Sequence, residues 1–298
     1  MQKVKELQRK YSSKRMENLH RNWYKFSRNP LSVLGFGLVL FIFILLIFAP
    51  VLSPYPEAAG KYVDFANASQ PPSSEHIFGT DRFGRDVLTR TIYGYRYSLA
   101  MSAVVLLITM PIGTFFGLLS GYYRGKWGST IIMRVTDIFV AVPPLILALA
   151  VCSVLKASIF NAMLAISVAW WPWYARLVYG ISSSLKSEYF IKASEVTGAS
   201  SFHILFKEIL PNCKGPILTK MSLDVGWTIL IGATLSFVGL GAQPPTPDLG
   251  SMVADASGYL PDLWWEAFFP AVAIMIVVLA FNLLGDGIGD MFGEEKGG

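Results

Sequence analysis

The sequence predicts an all-α membrane protein with six transmembrane helices and both termini in the cytoplasm. Only 15% of its 298 residues are charged and the mean hydropathy is +0.47, whereas soluble domains carry about 25% charged residues. About 20 apolar residues in a helix cross a hydrocarbon core of ~30 Å. Uncharged runs of at least 18 residues therefore predict one spanning helix each, and six occur: Asn29–Pro56, Tyr97–Tyr123, Ile138–Leu155, Ala157–Ala175, Val225–Pro247 and Ala267–Gly285.

The distribution of basic residues predicts the orientation. With both termini inside, the inner segments carry 19 of the 25 Lys and Arg residues and the outer segments carry 6. Basic residues that flank spanning helices are retained in the cytoplasm. The net charge of +5 is therefore interpreted as a topology signal, and no nucleic-acid partner is expected.

The predicted elements follow the uncharged runs along the chain. A cytoplasmic basic tail at 1–30 precedes a first transmembrane helix at 31–52 and an extracytoplasmic loop at 53–96. A five-helix core at 97–285 contains a cytoplasmic loop at 183–215, and a cytoplasmic tail at 286–298 ends the chain. The basic tail either lies on the inner leaflet as an amphipathic helix, with apolar residues such as Trp23 and Phe26, or is solvated.

Prolines and glycines mark candidate kinks and gating positions in the predicted spans. Proline removes a backbone hydrogen bond and kinks a helix. The candidates are Pro111, Pro143, Pro144, Gly239 and Gly241. Small residues spaced four apart let neighbouring helices approach closely, and Gly113, Gly117 and Gly121 follow this spacing in the second span.

Charged residues at helical spacing predict ion pairs. Asp81 with Arg85, and Asp86 with Arg90, are four residues apart, which suits surface pairs if the segment is helical. Such pairs contribute less than ~1 kcal/mol each. Asp137 and Arg176 lie near cytoplasmic helix ends, where they form either a structural ion pair or a gate latch.

The sequence offers no catalytic or metal-binding cluster, so the chain is not expected to be an enzyme. Its three histidines, at positions 20, 76 and 203, form no His-Glu-x-x-His pattern. The segment 121–127 resembles a phosphate loop only superficially, because its glycine spacing is wrong and Trp127 stands where Ser or Thr would bind magnesium. We therefore expect no cofactor bound by this chain and no nucleotide hydrolysis by the chain alone.

The cytoplasmic loop predicts two short helices joined at Gly198. Ala193 and Val196 share a face of the first helix. The second has an apolar stripe at i, i+3, i+4 and i+7 that ends before Pro211. This stripe packs either on the chain's own spans or in a groove of a partner. The candidate coupling residues are Lys192, Ala193, Ser194, Glu195, Gly198, Phe202, Leu205, Phe206, Ile209, Leu210 and Pro211.

These residues resemble the coupling-loop signature of ABC importer permeases. Ala193-Ser194, Gly198 and Ile209-Leu210-Pro211 match that signature in order, although Lys192 and Ser194 replace its Glu and second Ala. More narrowly, the chain is similar to the second (C-type) permease of the dipeptide, oligopeptide and nickel importer family. The stretches that carry this similarity, over about residues 30–292, are 78–87, 134–143, 235–247 and 282–287.

The resemblance implies a type I ABC importer permease fold and a defined set of partners. These are a second homologous permease, two cytoplasmic ATPase subunits that hold ATP and Mg, an extracytoplasmic substrate-binding protein and the lipid bilayer. It also implies a bacterial or archaeal cell membrane. The expected activity is inward transport of di- or oligopeptides, with nickel or metal chelates and oligosaccharides as alternatives in the same family. An autonomous secondary transporter is the alternative outside it, and the scarcity of charge in the spans disfavours it.

Overall fold

The computed structural model describes residues 16–17 and 20–292, which fold mostly into helices. The predicted tails at 1–30 and 286–298 lie partly outside these described residues, at 1–15, 18–19 and 293–298. The main helices are α1 (Pro30–Ile47), α2 (Val87–Tyr122), α3 (Trp127–Ala141), α4 (Pro144–Val154), α5 (Ile159–Leu185), α6 (Tyr189–Val196), α7 (Leu210–Phe237), α8 (Leu249–Ser257) and α9 (Trp264–Phe292). Extended pairing within the described ranges is limited to one bridge between Thr80 and Asp86. The predicted all-α class is therefore confirmed.

Among the residues that the structure describes, three helices are both long and apolar enough to cross a membrane, namely α1, α2 and α9. The pair α3 and α4 makes a fourth span if it is counted as one broken helix. Helices α5 and α7 are long, at 27 and 28 residues, but contain charged and polar residues within their length. The chain is thus a multi-pass membrane protein, and the count of six spans stays a prediction.

Helix α2 is longer than the apolar run that predicted it. It begins at Val87, so the last ten residues assigned to the extracytoplasmic loop are helical. Its glycines lie against α5: a Cβ added to Gly117 would lie 2.6 Å from the Ala175 carbonyl oxygen and 2.7 Å from Val178 Cβ. A Cβ on Gly121 would likewise lie 2.5 Å from Ser182 Cβ. The expected close approach of small residues therefore occurs between these two helices.

The prolines and glycines predicted to kink helices behave in three different ways. Pro143 and Pro144 separate α3 from α4, and the two helices meet at 89°. Pro111 lies inside α2, which continues unbroken to Tyr122. Gly239 ends α7 instead of kinking it, because its φ of +84° suits the left-handed residue that follows a helix. Helix α7 thus ends ten residues before the end of the uncharged run Val225–Pro247 that predicted it.

The first and last long helices are joined at one end of the bundle. Helix α9 packs between α7 and α1. Asn29 Nδ2 donates a hydrogen bond to Asp290 Oδ2 at 3.2 Å. Phe26 is buried, and a Cβ on Gly287 would lie 2.6 Å from its ring. Phe26 therefore packs on its own chain, as does the half-exposed Trp23, whose ring lies 5.6 Å from that of Phe26. The start of α1 and the end of α9 lie on the same side of the protein.

Candidate functional site

The predicted cytoplasmic loop forms a compact projection, here called the knob, over residues 188–210. Its first helix, α6, ends in a Schellman motif around Gly198, whose φ is +83°. Gly198 N–H donates to the Glu195 carbonyl at 3.1 Å, and Ala199 N–H donates to the Ser194 carbonyl at 3.0 Å. The glycine is required here because an L side chain in the left-handed region costs about 1–2 kcal/mol. The predicted break at this position is thus a specific backbone turn.

One face of the knob is anchored on the transmembrane bundle. Ile191, Leu205 and Ile209 are buried among apolar side chains of α2, α5 and α7. Tyr122, at the end of α2, donates its hydroxyl to Glu195 Oε1 at 2.9 Å. The apolar stripe that the sequence left unassigned therefore packs partly on the chain's own helices. A displacement of the knob would be transmitted to those helices through these contacts.

The opposite face of the knob presents apolar side chains to the outside. Phe202 is 70% exposed and its ring lies 4.6 Å from that of Phe206, while Val196 is 88% exposed. Tyr189, which the sequence analysis missed, is 87% exposed. Lys192 lies over the Tyr189 ring at 5.7 Å. Because isolated folded chains rarely leave several large apolar side chains this exposed on one small element, this face is suited to contact another protein.

The second helix of the knob does not end at Pro211 as expected. Ser200 caps it by accepting a hydrogen bond from His203 N–H at 3.2 Å, and a π-helical turn at Ile204–Ile209 joins it directly to α7. Pro211 directly follows this π-helical turn, at the second residue of α7, and does not interrupt the helical path. The knob and α7 therefore form one continuous helical path.

The predicted charges of the outer segment are buried instead of lying on the surface. Asp81 is 8% exposed; its Oδ1 accepts from the N–H groups of Phe83 and Arg85 at 2.9 Å each. Its Oδ2 lies 2.7 Å from Arg85 Nε and 3.7 Å from Arg90 Nε. The cause is local geometry, because the segment 79–86 is a tight turn and the helix starts only at Val87.

The predicted pair between Asp86 and Arg90 is wrong. Asp86 caps α2 by accepting from Thr89 N–H at 2.7 Å, and its other oxygen lies 3.0 Å from His76 Nδ1. Arg90 turns back toward Asp81 and donates to the Ala58 carbonyl at 3.2 Å. These charges thus form two buried groups, Asp81 with Arg85 and Arg90 and Asp86 with His76, which fix the start of α2 against the loop before it.

The predicted charges at the cytoplasmic helix ends do meet. Arg176 Nη1 of α5 lies 3.2 Å from Asp137 Oδ1 of α3, and both side chains are partly exposed. Asp137 lies six residues before Pro143, where the helix breaks. The ion pair therefore ties the first half of the broken helix to α5.

A second charge pair, missed in the sequence, lies on α7. Lys220 Nζ is 3.1 Å from both carboxylate oxygens of Asp224, and Asp224 is only 3% exposed. Lys220 also lies over the Tyr174 ring at 5.2 Å. The pair borders a cleft of about 600 Å³ between α5, α7 and α9. Its i,i+4 spacing was visible in the sequence, but the two residues lie between the predicted cytoplasmic loop at 183–215 and the uncharged run that begins at Val225.

Comparisons with known proteins agree with this architecture. The family model described as "Binding-protein-dependent transport system inner membrane component" matches residues 113–295. The model "N-terminal TM domain of oligopeptide transport permease C" matches residues 18–72.

Curated relatives match nearly the whole chain. It is 38% identical over 270 residues to the probable D,D-dipeptide transport system permease protein DdpC of Escherichia coli (strain K12), covering 91% of this chain and 89% of that protein. It is 40% identical to the dipeptide transport system permease protein DppC of Alkalihalophilus pseudofirmus, covering 88% and 85%. It is also 40% identical to the glutathione transport system permease protein GsiD of Escherichia coli O6:K15:H31, covering 91% and 88%.

The fold resembles a solved transporter chain. A chain of the MetNI methionine ABC transporter in an inward-facing conformation matches with a TM-score of 0.58 and 21% identity, covering 70% of this chain and 98% of that chain. This likeness supports the expected type I importer fold. With two family models and relatives at about 40% identity over most of its length, the chain belongs to the inner-membrane components of binding-protein-dependent ABC transport systems, as a C-type permease subunit of the dipeptide and oligopeptide group.

Proposed function

We propose that this chain is the membrane permease of an ATP-driven importer that moves di- or oligopeptides into the cell. The observation that carries the proposal is the knob, which has one face anchored on the bundle and one apolar face exposed. The names of the relatives, which act on dipeptides, D,D-dipeptides and glutathione, support a peptide substrate. Peptides are thus favoured over the metal chelates and oligosaccharides kept open above.

The proposed assembly contains four further subunits. A second, homologous permease completes the transmembrane unit, two ATPase subunits bind ATP and Mg on the cytoplasmic side, and a substrate-binding protein delivers the peptide from outside. ATP binding draws the ATPases together and displaces the knobs. Because the knob continues into α7 and contacts α2 and α5, its movement is carried into the helices that enclose the pathway. We place the assembly in the bacterial or archaeal cell membrane.

Peptide uptake by the assembled transporter tests this proposal. The chain should co-purify with ATPase subunits. In proteoliposomes, the complex should accumulate a radiolabelled dipeptide only when ATP is enclosed in the vesicles and the binding protein is present outside them. Uptake by this chain alone, driven by an ion gradient without ATP, would contradict the proposal and favour a secondary transporter.

The proposed topology has six spans and both termini in the cytoplasm. It is supported by the basic residues of the inner segments and by the contact between Asn29 and Asp290, which places the start of α1 and the end of α9 on the same side of the protein. A fluorescent protein that folds only in the cytoplasm, fused after residue 298, should be bright. A periplasmic phosphatase fused at the same point should be inactive, and the same phosphatase inserted after Ala59 should be active. The reverse pattern would contradict the orientation.

A further inference from the structure

The cleft beside Lys220 and Asp224 has the features of a ligand site. Its volume of about 600 Å³ lies within the range of ~300–1,000 Å³ found for small-molecule pockets. Most of its lining is apolar, contributed by Leu177, Leu223, Trp227 and Phe292. Trp227 is 53% exposed, so one side of the cleft opens away from the bundle of this chain. Lys220 and Asp224 are the charged residues in this mostly apolar lining.

The charge pair is incompletely satisfied by the protein. Asp224 is 3% exposed, and its Oδ2 has no hydrogen bond of good geometry although Lys220 Nζ lies 3.1 Å away. The buried hydroxyl of Tyr174 lies next to Asp224 and likewise has no hydrogen bond of good geometry. A buried carboxylate without full hydrogen bonding is costly. Ionisable residues inside a membrane bundle commonly mark substrate pathways for this reason.

The two charges have opposite sign and share one wall of the cleft. A ligand with a cationic and an anionic group can therefore place its cation on Asp224 and its anion on Lys220. Lys220 retains 24% exposure of its side chain, so it can leave Asp224 without being fully desolvated. Such binding replaces the Lys220–Asp224 ion pair with two ion pairs to the ligand, so the net gain in binding free energy is small. Weak binding suits a transport pathway, because a solute must leave the site as well as enter it.

We infer that this cleft is a transient binding site for zwitterionic short peptides, with Asp224 contacting the α-ammonium group, Lys220 the α-carboxylate, and the apolar wall the side chains. The inference rests on the proposed peptide import. It adds a selectivity filter inside the permease for free peptide termini, separate from the selection made by the binding protein.

Photo-cross-linking of the assembled complex in nanodiscs tests the inference. The probe is alanyl-p-benzoylphenylalanine, compared with its N-acetyl and C-amide forms. The free dipeptide should label peptides of α5, α7 or α9 that border the cleft. Asp224→Asn and Lys220→Gln should each lower this labelling about tenfold, the effect of losing one charge-assisted hydrogen bond of ~1.4 kcal/mol. The N-acetyl probe should label the wild-type complex less than the free dipeptide does. In Asp224→Asn, the two probes should label to nearly the same extent.

Two further variants separate recognition from folding. Asp224→Glu keeps the charge and should retain labelling within about threefold. Lys214→Gln removes an exposed lysine on the same helix, outside the cleft, and should label like the wild type. Equal loss of labelling for free and blocked peptides would indicate a structural role and overturn the inference, as would labelling that is unchanged in both Asp224→Asn and Lys220→Gln, or a phospholipid retained in the cleft.

Uptake measured in parallel distinguishes this inference from the proposed function. ATP-dependent dipeptide uptake by the wild-type complex without cleft labelling would overturn the inference and leave peptide import intact. Absence of uptake for every peptide tested would overturn both.

Discussion

Replacing Gly198 by proline should abolish peptide uptake, lowering it by about tenfold or more, while the complex still assembles. Proline cannot adopt the φ of +83° found at this position, and it lacks the N–H that binds the Glu195 carbonyl at 3.1 Å. The Schellman turn would be lost, and α6 would change its direction relative to the second helix of the knob. Uptake into proteoliposomes and ATP hydrolysis by the same preparation are the measurements.

Matched alanine variants show whether the effect belongs to the knob. Gly198→Ala keeps the N–H but strains the backbone by about 1–2 kcal/mol, and should reduce uptake less than proline does. Gly125 also has a positive φ, +89°, and an added Cβ there meets nothing within 4 Å, as at Gly198. Gly125→Ala should leave uptake near that of the wild type. Normal uptake by Gly198→Pro would show that the turn is not needed for coupling.

Removing the carboxylate of Asp81 should destabilise the chain by about 3–5 kcal/mol, because it leaves two nearly buried guanidinium groups without their shared anion. Arg85 and Arg90 have side-chain exposures of 10% and 5%, and the Asp81 oxygens also hold the turn through two backbone N–H groups. The start of α2 should loosen as a result. Thermal unfolding of the purified complex is the measurement for Asp81→Ala.

The controls for this variant separate charge from hydrogen bonding. Asp81→Asn keeps an oxygen that can accept from the two backbone N–H groups and should fall between the wild type and Asp81→Ala. Asp262→Ala removes an exposed carboxylate on the same proposed face and should change stability by less than about 0.5 kcal/mol. An unfolding midpoint for Asp81→Ala equal to that of Asp262→Ala would contradict the account of a buried charge group.

The helices of the bundle could be predicted from sequence because uncharged runs of spanning length have few alternative structures. The boundaries of these helices could not be predicted in the same way. The start of α2 at Val87 is set by the Asp86 cap and its pairing with His76, contacts that hydropathy does not report. Likewise Pro211, a helix breaker in most contexts, directly follows a π-helical turn and does not interrupt the helical path.

Ion-pair partners were predicted from spacing, and spacing was not sufficient. Asp86 and Arg90 are four residues apart, but Asp86 is occupied as a helix cap and Arg90 turns to Asp81. The pair of Asp137 with Arg176 was found because both were predicted to lie at cytoplasmic helix ends. Lys220 and Asp224 have the same i,i+4 spacing but were missed, because they lie just before the uncharged run that begins at Val225.

The knob shows the same division between pattern and geometry. Its glycine joint and its apolar stripe were visible in sequence. The sequence did not show which residues of the stripe face inward, because the stripe divides between two surfaces. Leu205 and Ile209 pack on the bundle, while Phe202 faces outward. The outward position of Tyr189 depends on the burial of Ile191, and helical periodicity alone does not decide which of the two is inside.

Cross-linking from the exposed face of the knob tests most directly whether this chain is driven by separate ATPase subunits. A photoreactive residue placed by Phe202→p-benzoylphenylalanine in the assembled complex should label an ATPase subunit, and the yield should change with ATP. The same residue placed by Ile191→p-benzoylphenylalanine, on the buried face, should label only this chain. Labelling confined to this chain from both positions would contradict the proposed role of the knob.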